Sequence, residues 1–366
     1  MKKIGIDARL YSQTGVGTYI RNLIHYLIKE NTEGILFYLY VLPQDIDQIS
    51  ALPQNFIIRS TPCLWHSFQE QIYFLFIILK DKLDLMHFTY FGYPILYWKP
   101  FISTVHDITP LLYKTGKAST KSRYIYEIKV LFFRLVLYCQ VRHSKVIITP
   151  SETVKKSLVK LCGMIYKKKI MTIYEGVDYQ LNEAVENKLL SKDFTFPFII
   201  YVGNFYPHKN IHRLINAFSK IESDYKLILI GPKDYFTKQI ITEIKKLHLE
   251  NKVNLFNNVS ASDLKFFYKH AKALIHPSFS EGFGLTILEA IAFRCPVIVS
   301  DIEIFHELLG NKALFFNPRV ELDIVNKLNH FIHENDFDYS NTIDSQKSFK
   351  IMTQRTLLLY KHNLKE

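Results

Sequence analysis

The sequence has 366 residues, of which 48% are hydrophobic and 22% are charged, and its formal net charge is +12. This length fits two domains of roughly 150–200 residues, and the composition excludes an intrinsically disordered chain. The longest apolar run, residues 72–79, is far shorter than the roughly 20 residues of a membrane-spanning helix. The positive charge indicates an anionic partner, namely nucleic acid, anionic lipid or a phosphorylated substrate. A general enrichment in lysine is the alternative explanation.

The N-terminus and the cysteines indicate a cellular location. Lys2 and Lys3 lead directly into a short strand pattern, without the apolar core and cleavage site of a signal peptide, so we predict a cytoplasmic protein. No Cys-x-x-Cys pair is present, which argues against a zinc site and a disulfide framework. We interpret the four cysteines as buried thiols: Cys63, Cys139, Cys162 and Cys295.

Short β-branched runs alternate with helix-like segments along the whole chain, a pattern typical of parallel α/β sheets. The predicted strands of the first half are residues 3–7, 36–41, 85–88, 102–105, 146–149 and 171–174. Those of the second half are residues 198–202, 226–230, 253–256, 273–276, 296–300 and 313–316.

This pattern predicts an α/β fold with two Rossmann-like domains, residues 1–180 and 181–345, joined through the polar segment 178–195. Residues 346–366 form a C-terminal helix that we expect to pack back toward the first domain. Two such domains joined by a hinge leave a cleft, and ligands of parallel sheets bind beyond the carboxyl ends of the strands.

Two helix starts are marked by capping residues. Thr149-Pro150-Ser151-Glu152 predicts a helix with Thr149 as the N-cap and Pro150 at the first helical position. Ser260 is the expected cap of a helix in the second half.

Two features of the first half follow predicted strands. Gly15-Val16-Gly17 lies between the first strand and a helix, although such a loop alone is often only a turn. His106 follows the strand 102–105 at the edge of the expected cleft, although a lone histidine is more often packed than catalytic.

In the second half, Asn204 and Lys209 follow the strand 198–202. A lysine that opens a helix at this position is placed to neutralise phosphate as a compact point charge. An ordinary exposed helix lysine is the alternative interpretation.

The segment 276–300 is typical of a strand, a glycine loop, a helix and a second strand. Gly282 and Gly284 let the backbone approach a ligand closely. A helix beginning near Leu285 points its free amides at an anion such as pyrophosphate.

Glu281 and Glu289 bracket this turn, and an acid near such a loop commonly accepts hydrogen bonds from ribose or sugar hydroxyls. The alternatives are a solvated loop acid for Glu281 and a capping box formed by Thr286 and Glu289.

Residues 277–284 read Pro-Ser-Phe-Ser-Glu-Gly-Phe-Gly, and seven residues separate Glu281 from Glu289. This motif resembles family 4 of the retaining glycosyltransferases, which have the GT-B fold, two Rossmann-like domains facing each other across a cleft. The Gly-Val-Gly loop, followed by Tyr19, Asn22 and Leu23, is similar to bacterial mannosyl- and rhamnosyltransferases of surface polysaccharide pathways.

The resemblance implies a role for each matching residue. The residues implied to be catalytic are Glu281 and His106 at the donor sugar and Lys209 at the diphosphate. The residues implied to bind the donor are Gly15, Val16 and Gly17 at the phosphates, Asn204 beside the lysine, the backbone of Gly282, Phe283, Gly284, Leu285 and Thr286, and Glu289 at the ribose. Glu175-Gly176-Val177-Asp178 resembles the segment before the second domain, and we interpret it as a crossover feature.

The implied reaction moves a hexose, preferably mannose from GDP-mannose, to a saccharide or lipid-linked saccharide, with no metal and no other cofactor. The family favours attack on the same face as departure over a covalent intermediate. Residues 65–82 and 121–145 mix aromatic, aliphatic and basic residues, as a membrane-surface helix does, and buried helices with basic edges explain the same letters. Peripheral contact with the inner face of the plasma membrane is therefore a hypothesis.

The sequence departs from the family at two positions. Many members have an arginine where this chain has Asn204, so one cation is missing. Arg294 replaces a usual glycine, and we expect that helix end to leave by a different turn, because arginine is unfavourable at positive φ. The alternative functions are a sugar-nucleotide epimerase of the same fold and an inactive scaffold in a polysaccharide assembly complex. A nucleic-acid-binding protein is disfavoured, since the sequence contains no zinc-ligand set or RNA-recognition signature.

Overall fold

The computed structural model describes residues 1–49, 52–112, 123–334 and 344–365. It divides into two compact units. Of the described residues, the first unit contains those up to Gly176 and those from Ser345 onward, and the second contains those from Val177 to Asp344. Among the described residues, no helix combines the length and the apolar character that crossing a bilayer requires.

The described strands form two sheets in which all neighbouring strands are parallel. In chain order they are β1 (Lys2–Asp7), β2 (Ile35–Val41), β3 (Phe56–Ser60), β4 (Leu85–Phe88), β5 (Phe101–Thr104), β6 (Ile147–Thr149), β7 (Ile170–Thr172), β8 (Phe198–Val202), β9 (Lys226–Ile230), β10 (Val253–Phe256), β11 (Ala273–His276), β12 (Val297–Ser300) and β13 (Leu314–Phe316). The first sheet has the order β3-β2-β1-β4-β5-β6-β7, and the second has the order β10-β9-β8-β11-β12-β13.

The loop 89–100 joins β4 to β5, and a 3₁₀ turn, Pro43–Gln48, lies between β2 and β3; helices connect the other strands, as parallel pairing allows. In chain order they are α1 (Val16–Leu27), α2 (Leu75–Lys80), α3 (Thr109–Leu112), α4 (Arg123–His143), α5 (Glu152–Cys162), α6 (Tyr179–Glu183), α7 (Ile211–Phe218), α8 (Tyr235–Lys246), α9 (Ala261–His270), α10 (Leu285–Ala292), α11 (Glu303–Leu309), α12 (Glu321–His333) and α13 (Phe349–Asn363). A π-helical turn, Glu70–Phe74, leads into α2.

Both faces of the first sheet are covered by helices. Successive residues of a strand point to opposite faces of the sheet, so two neighbouring residues of β4 contact helices on the two sides. On one side His87 of β4 bonds to the Tyr360 hydroxyl of α13 at 2.6 Å. On the other side Phe88 belongs to a buried cluster with Phe74, at the start of α2, and Val136 of α4. The helices α2 and α4 therefore cover the same face of this sheet.

The second sheet is built in the same way. Ile199 and Tyr201 of β8 belong to the core cluster that includes α7, α8 and α12. Phe198, one residue away, contacts Phe267 of α9 edge-on at 6.2 Å between ring centroids. Continuous apolar strands are expected when both faces of a parallel sheet are buried.

The structure confirms the twelve predicted strands, with end differences of at most two residues, and it adds β3. Strand β3 is an edge strand with three half-buried residues, so its sequence pattern is weak. Two thiols differ from expectation: Cys139 and Cys162, on α4 and α5, are only partly buried.

Two predicted helix ends are wrong. Thr149 is the last residue of β6 and caps nothing, whereas the Ser151 hydroxyl accepts the Val154 amide at 3.1 Å as the N-cap of α5. Arg294 does not avoid the glycine-type turn after α10, because its φ is 59°. The adjacent Cys295 amide bonds back to the Ala290 carbonyl oxygen at 2.9 Å, which holds this turn in place. The predicted cap Ser260 is confirmed, since its hydroxyl accepts the amide three residues on.

A buried ion network lies at the end of β1. The Arg9 guanidinium contacts the Asp7 carboxylate at 2.6 Å and the Glu70 carboxylate at 2.7 Å, and its side chain is 2% exposed. It also lies 3.8 Å above the Phe74 ring. Burial raises the pKa of Glu70, while the Arg9 charge opposes that shift. One buried cation therefore balances two carboxylates.

Replacing Arg9 by methionine leaves those two carboxylates buried without their cation. We expect R9M to lower the free energy of unfolding by about 3–5 kcal/mol, because unpaired buried charges are strongly unfavourable. The control is Lys220→Met, which breaks an exposed ion pair with Glu321 and should change it by less than about 1 kcal/mol. Urea unfolding followed by circular dichroism measures both, and equal losses would contradict the role of the network.

Candidate active site

Two loops of the second unit meet beyond the carboxyl ends of β8 and β11. The loop after β8 contains a 3₁₀ turn, Pro207–Lys209, and the loop after β11 carries Glu281. The Lys209 Nζ atom lies 2.6 and 2.8 Å from the two carboxylate oxygens of Glu281. Both side chains are largely buried, with 14% and 10% of their surface exposed. The structure therefore joins the predicted phosphate lysine and the predicted sugar carboxylate in one ion pair.

This ion pair keeps Glu281 ionised. Burial alone favours the neutral acid, but the Lys209 ammonium outweighs burial and lowers the pKa of Glu281 to about 2. The two alternatives, a solvated loop acid and an exposed helix lysine, are wrong for these side chains, because both are largely buried. At neutral pH the site holds a carboxylate and an ammonium that neutralise each other.

Asn210 fixes the loop after β8. It adopts a left-handed backbone, with φ 61°, directly before α7. Its Nδ2 atom donates to the carbonyl oxygens of Pro277 at 3.1 Å and Pro318 at 2.9 Å. The Phe279 amide donates to the His208 carbonyl oxygen at 2.8 Å. Hydrogen bonds thus join the loops after β8, β11 and β13 and fix the backbone that carries Lys209 and Glu281.

Two neutral histidines lie beside the ion pair. His276 ends β11, is 2% exposed, and has its Nε2 atom 3.7 Å from a Glu281 carboxylate oxygen. Burial lowers the pKa of His276 to about 4 and that of His208 to about 4. Neither ring therefore competes at neutral pH with Lys209 as the cation of the site.

Helix α10 begins at the same edge of the sheet. Gly284 precedes it with φ 98°, where an added Cβ would lie 3.3 Å from Phe305. The first-turn amides of a helix have no partner inside the helix and attract anions. The buried Thr286 hydroxyl has no hydrogen-bond partner among the described residues. This helix start therefore offers several donors that an anionic ligand would satisfy.

Glu289 lies one turn into α10 and is 8% exposed. Its carboxylate accepts a hydrogen bond from the Tyr268 hydroxyl at 2.7 Å. Burial raises the pKa of Glu289 to about 7, although the Tyr268 hydroxyl favours the ionised form. The capping-box interpretation is wrong, because Gly284 is the N-cap of α10 and no side chain caps it.

The remaining predicted residues of the second unit shape the same loops. The Asn204 carbonyl oxygen accepts the Tyr201 hydroxyl at 2.6 Å, and its side chain faces the Tyr206 amide at 3.4 Å. Gly282 and Phe283 are buried ahead of α10. Asn204 therefore forms hydrogen bonds within the loop after β8. It carries no charge, so it does not replace the arginine that many family members have at this position.

In the first unit, the glycine loop and His106 are connected through Tyr19. Gly15 is the N-cap of α1 with φ 69°, and Val16 and Gly17 begin the helix. The Tyr19 ring meets the His106 ring edge-on, with 4.7 Å between centroids. The structure therefore brings these predicted residues together.

Both ring nitrogens of His106 are bound within the first unit. Nδ1 lies 2.8 Å from a Glu175 carboxylate oxygen, and Nε2 lies 2.9 Å from the Thr89 carbonyl oxygen. Both partners offer acceptor oxygens to the ring. A direct contact between this ring and a donor sugar requires one of these bonds to open.

Three residues of these sites were missed in the sequence. Glu175 was interpreted as a crossover feature, but it is 4% exposed and bound to His106. Tyr268 and His276 looked like ordinary helix and strand residues. The available signal was positional for Glu175 and His276, which lie at or just after strand ends, where ligands of parallel sheets bind.

Comparison with known proteins identifies the class. The protein-family model "Glycosyltransferase Family 4" matches residues 13–181, and the family model "Glycosyl transferases group 1" matches residues 184–348. The O-antigen chain mannosyltransferase RfbU of Salmonella typhimurium is 31% identical over 294 residues, which cover 76% of this chain and 77% of that protein. The protein is a glycosyltransferase. It belongs to the family that these two models describe, as the sequence motifs predicted.

Solved structures confirm the GT-B fold class. Sucrose-phosphate synthase of Thermosynechococcus elongatus superimposes with a TM-score of 0.78 and 16% identity, covering 99% of both chains. HepE of Anabaena, solved in complex with UDP and glucose, has a TM-score of 0.74 and 15% identity, covering 99% of this chain and 100% of that one.

Replacing Glu289 by glutamine removes a buried titrating carboxyl. The folded-state pKa of about 7 lies above the ordinary 4.5, so the native state binds this proton more tightly than the unfolded chain. The resulting stabilisation is complete below the ordinary pKa and is lost as pH rises through the folded value. Relative to E289Q, the free energy of unfolding of the wild type should fall by about 3 kcal/mol as pH rises from below the ordinary pKa to above the folded-state pKa.

Urea unfolding of both proteins below and above the window measures this loss. The exposed Glu250→Gln serves as the control and should follow the wild type. Parallel pH profiles for wild type and E289Q would show that Glu289 does not titrate near neutral pH.

Proposed function

We propose that the chain is a retaining mannosyltransferase that moves mannose from GDP-mannose to a saccharide or lipid-linked saccharide acceptor. The pathway would be the synthesis of a bacterial surface polysaccharide such as O-antigen or capsule. The name of the relative, an O-antigen chain mannosyltransferase at 31% identity, supports this choice of sugar and pathway. We place the activity in the cytoplasm, at the inner face of the plasma membrane.

The observation that carries the donor assignment is the position of Lys209. Its ammonium lies beyond the strand ends of the second sheet and is paired with Glu281. The loop that carries Lys209 is hydrogen-bonded to the segment that leads into α10. An ammonium and the free amides of a helix N-terminus are both groups that bind phosphate. A diphosphate is the anionic part of a nucleotide sugar, so this corner suits the donor.

The proposed reaction begins with an exchange of partners. Lys209 turns from Glu281 toward the diphosphate, and its charge then stabilises the negative charge that develops on the leaving phosphate. Glu281, released from the ammonium, accepts a hydrogen bond from a hydroxyl of the donor sugar. Glu289 holds the ribose, and the backbone of residues 15–17 and His106 are assigned to the donor phosphates and sugar by resemblance.

Retention is proposed to arise from attack on the face that the leaving group departs from. The leaving phosphate takes the proton of the acceptor hydroxyl as the new glycosidic bond forms. Glu281, which the resemblance assigns to the donor sugar, positions that sugar in this proposal and forms no bond to it. The proposal includes no metal, because Lys209 and α10 supply the charge compensation.

Thermal unfolding with GDP-, UDP- and dTDP-sugars tests the donor, since a ligand that binds only the folded state raises the melting temperature. GDP-mannose should give the largest increase. With the accepted donor and a mannose-containing acceptor, proton NMR should show a product with the donor's anomeric configuration. An inverted product, or donor conversion without an acceptor, would contradict the proposed reaction.

Glutamine at position 209 or 281 tests the assignment of the site. We expect K209Q and E281Q each to lower kcat/KM by about 100-fold or more, because each removes charge or positioning at the reacting bond. Breaking a buried pair also destabilises the protein, so the double variant, which leaves no unpaired charge, separates the two effects. It should regain stability and remain inactive.

Lys246→Gln, on the exposed end of α8, is the matched control and should keep full activity. Full activity in both single variants would mean that the reaction occurs elsewhere.

A further inference from the structure

A small pocket lies beyond the carboxyl ends of β1 and β4 in the first unit, and we call it the β1–β4 pocket. It holds about 210 Å³ of empty space, part of which is open to solvent. Its lining residues are Asp7, Arg9, Leu10, Trp65, His66, Glu70, Tyr90 and Gly92. Pockets for drug-sized ligands are larger, about 300–1,000 Å³, so this pocket has room for a single small ring.

Three of the lining residues carry aromatic rings. The side chains of Trp65 and Tyr90 are partly exposed. The His66 ring is packed, with its centroid 4.5 Å from that of Phe133 and 5.4 Å from that of Tyr90. A Cβ atom added at Gly92 would lie 3.1 Å from the His66 ring, so a larger residue there would displace it. The pocket therefore offers an indole and a phenol ring to an apolar ligand face.

The polar groups of the pocket are already arranged around Arg9. Asp7 accepts three hydrogen bonds from Arg9, and Glu70 accepts one from the Arg9 guanidinium and one from the His66 amide. An ionised carboxylate has about four lone-pair sites, so Glu70 retains acceptor capacity. A hydroxyl both donates and accepts, and it therefore suits Glu70 in either protonation state.

The charges of the pocket favour a neutral ligand. Arg9 is the only lysine or arginine in the lining, and two carboxylates bind it. An anionic ligand would meet no uncompensated cation there, and unpaired buried charges are strongly unfavourable. A metal ion would have to displace the guanidinium, and the described residues contain no cluster of three metal-ligating side chains. A neutral ring with hydroxyl groups meets these conditions.

The pocket borders both features of the first unit that the resemblance assigns to the donor. The Tyr90 ring lies nearly parallel to the His106 ring, with 6.5 Å between centroids. The Leu10 carbonyl oxygen lies 2.8 Å from the place of a Cβ atom added at Gly17. Reacting atoms must approach to about 3–3.5 Å, so the second substrate of a transfer has to bind beside the donor. The β1–β4 pocket is in such a place.

We propose that the β1–β4 pocket binds the terminal sugar of the acceptor and selects a neutral pyranose over an acidic or phosphorylated one. Trp65 and Tyr90 would pack against the C–H face of the ring, and Glu70 would bind a hydroxyl. These three residues then determine the acceptor specificity. The acceptor role rests on the proposed transferase function, whereas the binding of a pyranose does not.

Tryptophan fluorescence tests the binding without any turnover, because the chain contains two tryptophans, Trp65 and Trp98. Trp98→Phe leaves Trp65 as the only indole. The methyl α-glycoside of mannose, galactose or glucose should change its emission saturably. The corresponding methyl uronoside, which has the same ring with a carboxylate, should bind about tenfold more weakly.

The matched control is Trp65→Phe, which leaves only Trp98. That side chain is 70% exposed and is not part of the pocket lining, so its emission should not respond to the glycosides.

Steady-state transfer tests the acceptor role, with the glycoside that binds as the acceptor. Trp65→Leu and Tyr90→Leu should each raise the KM for this acceptor about tenfold or more, because each removes an aromatic contact. The KM for the nucleotide sugar should stay unchanged. Trp65→Phe keeps a ring and should retain most of the acceptor affinity, and Trp98→Leu should behave like the wild type. Circular dichroism checks that all variants are folded.

Constant Trp65 emission with all three glycosides overturns the proposal, as does equal binding of the uronosides. Saturable binding combined with an unchanged acceptor KM in Trp65→Leu overturns the acceptor role. Absence of transfer with every nucleotide sugar would contradict the proposed function instead, and the fluorescence titration would still decide whether the pocket binds a neutral pyranose.

Discussion

The ion pair between Lys209 and Glu281 is the interaction on which the candidate site depends. Each charge is stable in its buried position only because the other is present. The pair joins two loops 72 residues apart in sequence, and Asn210 bonds both of them to the loop after β13 through Pro277 and Pro318. The loops that carry the ammonium and the carboxylate are therefore fixed before any ligand binds, and the neighbouring histidines remain neutral beside them. Such preorganisation is what electrostatic stabilisation of a leaving group requires.

Much of the fold was predictable because both sheets are parallel and buried on both faces, which makes their strands continuous apolar runs. The exceptions have local causes. Strand β3 lies at an edge and is half-buried, so its pattern is weak. Thr149 has the residue type of a helix cap, but β6 extends to it, so Ser151 is the cap instead. Arg294 shows that hydrogen bonds around a turn can hold an arginine where glycine is usual. The outer side of α4 is apolar, like its inner side. A helix that is apolar on both sides is expected to be buried, so the exposure of its outer side was not predictable.

The positions of the candidate residues were predictable, and their contacts were not. Motif spacing placed Lys209, Glu281 and Glu289 in loops or a helix start beyond strands, where the structure also has them. It gave no sign that Lys209 and Glu281 neutralise each other, or that Glu289 is bound by Tyr268. These contacts join segments far apart in the chain, as does the bond between His106 and Glu175. Pairing of this kind follows from three-dimensional packing, which spacing along one sequence does not encode.

A crystal structure with GDP bound tests the central claim most directly. The account predicts that the Lys209 Nζ atom moves to hydrogen-bonding distance of a phosphate oxygen, that the first amides of α10 contact the same diphosphate, and that Glu281 loses at least one of its two contacts with the ammonium. A diphosphate bound elsewhere, with the Lys209–Glu281 pair unchanged, would contradict it.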